Sequence, residues 1–214
     1  MKIKWLKILF WFLVLLPFLV SAVCYGRLPA QVATHFDAAG APNDYSSRAM
    51  AAFGLPAVYF GIILFVYVML KLDPKSANIE RSPQIRAVVL WGTAVLLNLV
   101  HAAVMLTALN IRINIGIVTS IAVGLLFISI GNYLPKCKPN YTMGIRLPWT
   151  LASEENWRRT HRFAGPLWIF GGAVIALSAF WVVKWALLAV AGLLCVVPAV
   201  YSYLLFRREE EKKP

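Results

Sequence analysis

The sequence predicts an all-α fold: a polytopic membrane helical bundle of about six transmembrane helices, with both termini inside the cell. Three observations predict it. The 214 residues are 60% hydrophobic and only 14% charged, whereas a water-surrounded globular chain carries roughly 25% charged residues. The apolar excess lies in six uncharged runs: 8–26, 49–70, 87–111 (neutral His101 aside), 113–135, 163–183 and 185–206. Each is close to the ~20 residues that cross a hydrocarbon core of ~30 Å at 1.5 Å per residue. With the N-terminus inside, inner loops and termini take all of the 21 Lys and Arg residues except Arg27, Arg48, Arg112 and Lys184. That bias is the usual determinant of orientation.

The first run, with Lys2, Lys4 and Lys7 before it, has the outline of a signal peptide. Bulky Val23 immediately before Cys24 is poor for either kind of processing, so the segment reads as an uncleaved anchor. Arg112 with Asn110 and Asn114 separates the third and fourth runs, and Lys184 alone separates the last two, so both junctions are expected to be tight outer turns. Pro17, Pro56 and Pro198 fall inside spans, where neighbouring helices or local distortion must satisfy the freed carbonyls. Trp5, Trp11, Trp149, Trp157, Trp181 and Trp185 lie mostly near span boundaries, as amphipathic rings at headgroup depth do. The chain divides into an N-terminal helical hairpin, residues 1–72, and a four-helix membrane region, residues 73–214, with a long cytoplasmic loop at 131–164.

Two loops exceed a connector's length. The outer one, 28–48, holds Gly40, Pro42 and Asn43 as turn formers, with Asp37 and Asp44 placed to bond nearby amides. His35, Asp37 and Asp44 are also ligand-type residues, open to a cation or an extracellular partner, although three such residues in a loop suit ordinary turn structure better. The inner loop is broken by Pro and Gly up to Ser153, which is placed as an N-cap with Glu154 and Glu155 in the first turn. A short helix is expected from there toward the fifth span. Its i,i+4 pairs would be Glu154 with Arg158 and Glu155 with Arg159, while Trp157, Thr160, His161 and Ala164 share another face. This segment reads either as a re-entry helix at the headgroups or as a docking surface. In the second case Arg146, Arg158 and Arg159 grip carboxylates or phosphates, and Trp149 and Trp157 supply area.

At these loops the sequence resembles the SdpI family of bacterial immunity proteins. The likeness rests on Gly131-Asn132-Tyr133-Leu134-Pro135, Pro139-Asn140, Gly144-Ile145-Arg146, Pro148-Trp149-Thr150, and Trp157 with Thr160-His161-Arg162-Phe163. The outer Thr34-His35-Phe36-Asp37, with Gly40, Pro42 and Ser47-Arg48, looks like the small domain of unknown function that commonly precedes it, with Tyr45 where that domain tends to carry Trp. The resemblance implies a protein that neutralises a secreted peptide toxin outside and sequesters a transcriptional repressor inside. Candidate partner-binding or signalling residues are then Asn132, Asn140, Gly144, Arg146, Pro148, Trp149, Thr150, Trp157, Thr160 and His161. Candidate outer recognition residues are His35, Asp37, Gly40 and Asp44.

Other functions lose ground on the residues themselves. No Asp, Glu, Lys or Arg lies well inside a span, so aspartyl proteolysis and a carboxylate proton relay lack their groups. The expected topology puts His35 outside, His101 within the bilayer and His161 inside, so they cannot share a zinc ion. Cys24, Cys137 and Cys195 offer no bridgeable pair, and Cys137 with His161 matches no nucleophile pattern. The net charge of +12 is dispersed between apolar blocks, which argues against direct nucleic-acid binding. No phosphate-binding loop, metal or cofactor is expected. Asn98 and His101, three apart in the third span, form a candidate intramembrane polar pair, serving interhelical bonding or a transported solute or lipid. An enzyme acting on lipid headgroups near His161 and Arg146 is the remaining alternative.

Overall fold

A computed structural model of the chain describes residues 2–37, 40–180 and 186–211, and leaves the side chains of residues 2, 3 and 186 undescribed. The expected outer turn at Lys184 and the boundary residues Trp181 and Trp185 lie outside that set.

The long helices are α1 (Lys2–Cys24), α2 (Leu55–Leu72), α5 (Thr93–Ala108), α6 (Ile115–Tyr133), α8 (Glu154–Ser178) and α9 (Ala186–Glu210). Short helices α3 (Ser76–Glu80), α4 (Pro83–Ala87) and α7 (Pro148–Ala152) lie in the connections. The fold is an all-α polytopic bundle. Among the described residues five segments are long and apolar enough to cross a membrane: Lys4–Arg27, Met50–Leu72, Pro83–Ala108, Ile115–Lys136 and Leu187–Glu210. Residues 163–178 of the expected fifth run form the C-terminal part of α8. The short helix expected after Ser153 does not stop: it continues through Pro166 as one helix of 25 residues.

The outer loop departs from the turn structure expected of it. Strands β1 (Gln31–Phe36) and β2 (Pro42–Ser47) pair antiparallel, with Val32 opposite Ser46 and His35 opposite Asp44. Val32 is buried with Leu28 against Val104, Met105 and Ile115, so the hairpin closes one end of the bundle. A second core, Leu70, Ile79, Ile85, Leu134, Met143 and Trp157, closes the opposite end.

Two interior prolines show how lipid-bound helices settle their backbone. A proline removes the donor that would serve the carbonyl four residues earlier, and in hydrocarbon an orphaned carbonyl costs several kcal/mol. Pro17 frees the Leu13 carbonyl, and the Asn98 amide of α5 donates to it at 3.0 Å. Pro198 frees the Leu194 carbonyl, and the Trp168 indole of α8 donates to it at 3.2 Å. Before Pro56 the chain makes a π-helical turn over Met50–Gly54, a local distortion of the kind that accommodates a missing donor.

The most extensive helix pair is α6 with α8. Small residues let the two backbones meet. A Cβ added to Gly124 would lie 2.5 Å from the Gly172 carbonyl, and one added to Gly131 would lie 2.7 Å from the Gly165 carbonyl. The matched steps from Gly124 to Gly131 and from Gly172 back to Gly165 mark an antiparallel seam of glycines.

Candidate functional site

The inner loop is an ordered cap fixed by buried polar side chains. Asp73, at the end of α2, is 5% exposed. Its carboxylate accepts from the Tyr141 amide at 2.8 Å, the Thr142 hydroxyl at 2.6 Å and the Lys75 amide at 2.7 Å. Asn140 is fully buried and its carbonyl accepts from the amides of Thr142 and Met143 at 2.9 and 2.6 Å. Asn78 donates to the Pro139 carbonyl at 2.8 Å, and Ser82 accepts from the Lys138 amide at 3.0 Å. The loop is therefore tied to the connection between α2 and α5 as well as to α8.

On α8 the Ser153 hydroxyl caps the helix by accepting from the Asn156 amide at 3.1 Å. Their spacing of four residues, about one helical turn, then brings Trp157 and His161 together on the buried face, rings stacked at 4.1 Å. The Trp157 indole donates to the Cys137 carbonyl at 2.8 Å. His161 Nε2 accepts from the Ile145 amide at 3.0 Å, while Nδ1 lies 2.8 Å from the Trp157 carbonyl. An amide donor at Nε2 leaves that nitrogen no proton, so His161 is the neutral tautomer with its hydrogen on Nδ1. Burial pushes its pKa down to about 4 from the usual 6.5. Gly144 passes over this ring at φ +95°, and any Cβ there would collide with His161 Nε2.

A pH dependence follows. Between pH 6.5 and about 4 the unfolded chain holds a proton on His161 that the folded cap excludes. The contribution is full above pH 6.5 and is lost as the pH falls toward 4, the loss reaching on the order of 3 kcal/mol at the acid end. The protection factor of the Ile145 amide, its exchange corrected for the intrinsic pH dependence, should fall over that window in the wild type and change far less in His161→Gln. Equal pH profiles would dissociate the imidazole from cap stability.

The predicted inner residues thus separate into two sets. Asn140, Thr150, Trp157, Thr160 and His161 are buried. The Thr150 hydroxyl accepts from the Leu147 amide at 2.9 Å and donates to the Ile145 carbonyl at 2.8 Å. Thr160 donates to Asn156 at 3.1 Å, and Asn156 donates to the Ser202 carbonyl of α9 at 2.9 Å. Trp157, expected at headgroup depth and as docking area, is instead enclosed by protein. Trp149 is half-buried, donating to the Ser202 hydroxyl at 2.8 Å beside Tyr203 and Phe206. Asn132, Gly144, Arg146 and Pro148 are exposed, with Arg146 donating to the Tyr141 carbonyl at 2.7 Å. The expected pair of Glu154 with Arg158 does not form. Glu155 holds both Arg158 and Arg159, each at 2.6 Å, because both guanidiniums reach the same carboxylate across one turn. Sequence reasoning passed over Asp73 and Ser202. The signal for Asp73 was a lone acid placed just after an uncharged run and before Pro74.

At the other end the hairpin exposes His35, Asp37 and Asp44. His35 Nδ1 lies 2.6 Å from the Asn43 side-chain oxygen, Asp37 accepts from the Ala41 amide at 2.9 Å, and Asp44 accepts from the Tyr45 amide at 2.8 Å. Among the described residues no group of three or more His, Cys, Asp or Glu side chains could hold a metal ion. Gly40 has φ +79°, and its Cβ position is 3.0 Å from the Asn114 side chain and 3.2 Å from the Gly116 amide, so the hairpin turn rests on the start of α6. Within the bundle, Asn98 and His101 both turn toward α1, His101 Nε2 lying 2.8 Å from the Ser21 hydroxyl.

The two ends match different family models. Residues 136–202, which carry the cap, match the SdpI/YfhL protein family. Residues 12–60, which carry the hairpin, match a domain of unknown function, DUF1648. Across both, the chain is 24% identical to the Immunity protein SdpI of Bacillus subtilis (strain 168), over 92% of this chain and 93% of that protein. No solved structure matches the chain.

Proposed function

We propose that the chain is a multi-pass protein of the bacterial cytoplasmic membrane, with six spans and both termini inside, that confers resistance to a secreted peptide toxin. The hairpin faces the toxin. The cap, presenting Asn132, Arg146, Pro148 and the edge of Trp149, holds a cytoplasmic repressor at the membrane when toxin is engaged. The observation that carries this reading is the similarity to an immunity protein along nearly the whole length of both chains. The placement of the hairpin and the cap at opposite ends of the bundle supports it, since an inward relay needs one part in each compartment. The hydrogen-bonded tie between cap, α8 and α9 offers a rigid path for such a relay.

Expression in toxin-sensitive cells should restore growth under toxin challenge. Among variants present at wild-type levels, Arg146→Ala should lower repressor retention at the membrane. A membrane-impermeant maleimide, in a background without native cysteines, should label Ser47→Cys in intact cells and Lys138→Cys only after permeabilisation. No protection by the well-expressed wild type, or labelling of both positions from one side, would remove the proposal's basis.

A further inference from the structure

A cavity of about 720 Å³ opens at the cap end of the bundle, away from the exposed cap residues, between α1, α2 and α4. Lys7 of α1, Lys71 of α2 and Arg86 of α4 line it. Each lies near the end of an apolar segment at one side of the bundle: Lys4–Arg27 begins there, Met50–Leu72 ends there and Pro83–Ala108 begins there. Among the described residues none of the three makes an ion pair. The Lys71 ammonium sits 5.1 Å from the Tyr67 ring, which holds it over the cavity's aromatic wall. Below the cations the lining is apolar, with Phe10, Leu70 and Leu90. Glu80 is the single carboxylate on the wall.

We propose that this cavity is a binding site for an anionic glycerophospholipid of the adjoining leaflet. The phosphate would sit among Lys7, Lys71 and Arg86, the glycerol hydroxyls near Glu80, and the upper acyl chains against Phe10, Leu70 and Leu90. Charge complementarity selects an anion, and basic pockets between spanning helices are a recurrent solution for anionic headgroups. The apolar floor selects a lipid over a free phosphate, which would leave that floor unmatched. Three cations delivered by three separate helices also distinguish the site from the scattered basic residues of inner loops, which set orientation and need not converge.

The test uses the full-length protein released from nanodiscs holding equal amounts of phosphatidylglycerol and phosphatidylcholine, with retained lipids counted by native mass spectrometry. The wild type should retain phosphatidylglycerol in clear excess. Lys7→Gln/Lys71→Gln/Arg86→Gln should cut that retention by tenfold or more, given roughly fivefold per cation near a headgroup. Lys136→Gln/Lys138→Gln/Arg208→Gln, removing equal charge elsewhere, should leave it unchanged, and Lys71→Arg/Arg86→Lys should retain it. If the triple variant does not assemble, Lys71→Gln/Arg86→Gln carries the same comparison. Equal retention of the two lipids, equal loss in the control triple, or stripping of the lipid by millimolar inorganic phosphate would each overturn the assignment. The site stands independently of any toxin or repressor.

Discussion

Gly124→Leu should abolish accumulation of folded protein in the membrane. The added Cβ alone would sit 2.5 Å from the Gly172 carbonyl and 2.8 Å from the Ala176 Cβ, and the nearest obstacle is backbone, which cannot rotate away. Overpacking a well-packed interior costs about 1–3 kcal/mol when side chains can adjust. Here α6 and α8 must separate along the whole seam, which also withdraws the Gly131 and Gly165 contact, so the penalty exceeds that range. Gly124→Ala should be damaging but less so. Gly61→Leu and Gly192→Leu are the matched controls, because nothing lies within 4 Å of their Cβ positions. Membrane-fraction yield and the unfolding midpoint in detergent give the readout. A Gly124→Leu protein as abundant and stable as the two controls would show that the seam is not a close backbone contact.

The second large effect is local. Gly144→Val should release the cap while leaving the bundle in place. A β-branched residue at φ +95° costs about 1–3 kcal/mol in backbone strain. Its Cβ would collide with His161 Nε2 and come within 3.2 Å of the Trp157 ring. Displacing the imidazole breaks the bond to the half-buried Ile145 amide, a further ~1 kcal/mol. Limited trypsin digestion at Lys136 and Arg146 should accelerate strongly in the purified protein, with far-ultraviolet circular dichroism nearly unchanged. Digestion at the wild-type rate would mean that the cap does not depend on the contact between Gly144 and His161.

Five of the expected runs were legible as helices long and apolar enough to span, because hydrocarbon imposes a coarse and uniform demand: a run of uncharged residues long enough to cross it. Ser153 was equally legible as a cap, since the residue types and the first-turn acids agree. The hairpin was not. β2 reads Pro-Asn-Asp-Tyr-Ser-Ser, poor in strand formers, and irregular pairing around His35 breaks the alternation that marks a half-buried strand. The burial of Val32 and Leu28 and the seating of the turn on the start of α6, both tertiary events, hold it in place. The cap was half legible. Its motif residues stood out by resemblance, but which of them face inward depends on Asp73 and Ser202, 68 positions from Tyr141 and 53 from Trp149. No local pattern contains partners so distant. The glycine seam did leave a trace, two pairs at seven-residue spacing, which identifies the contact only once the helices are known to be antiparallel neighbours.

The prolines of α1 and α9 impose a constraint on how this sequence can diverge. Replacing Pro17 by alanine would return a donor to the Leu13 carbonyl, whose two lone pairs can accept it together with the Asn98 amide. Replacing Asn98 alone would strand the carbonyl. Loss of the donor while the proline stays is the disfavoured intermediate, so the proline must be replaced before or with its donor, and the same holds for Pro198 with Trp168. Co-variation at these two pairs, rather than invariance at either member, is the signature that selection on the bundle should leave.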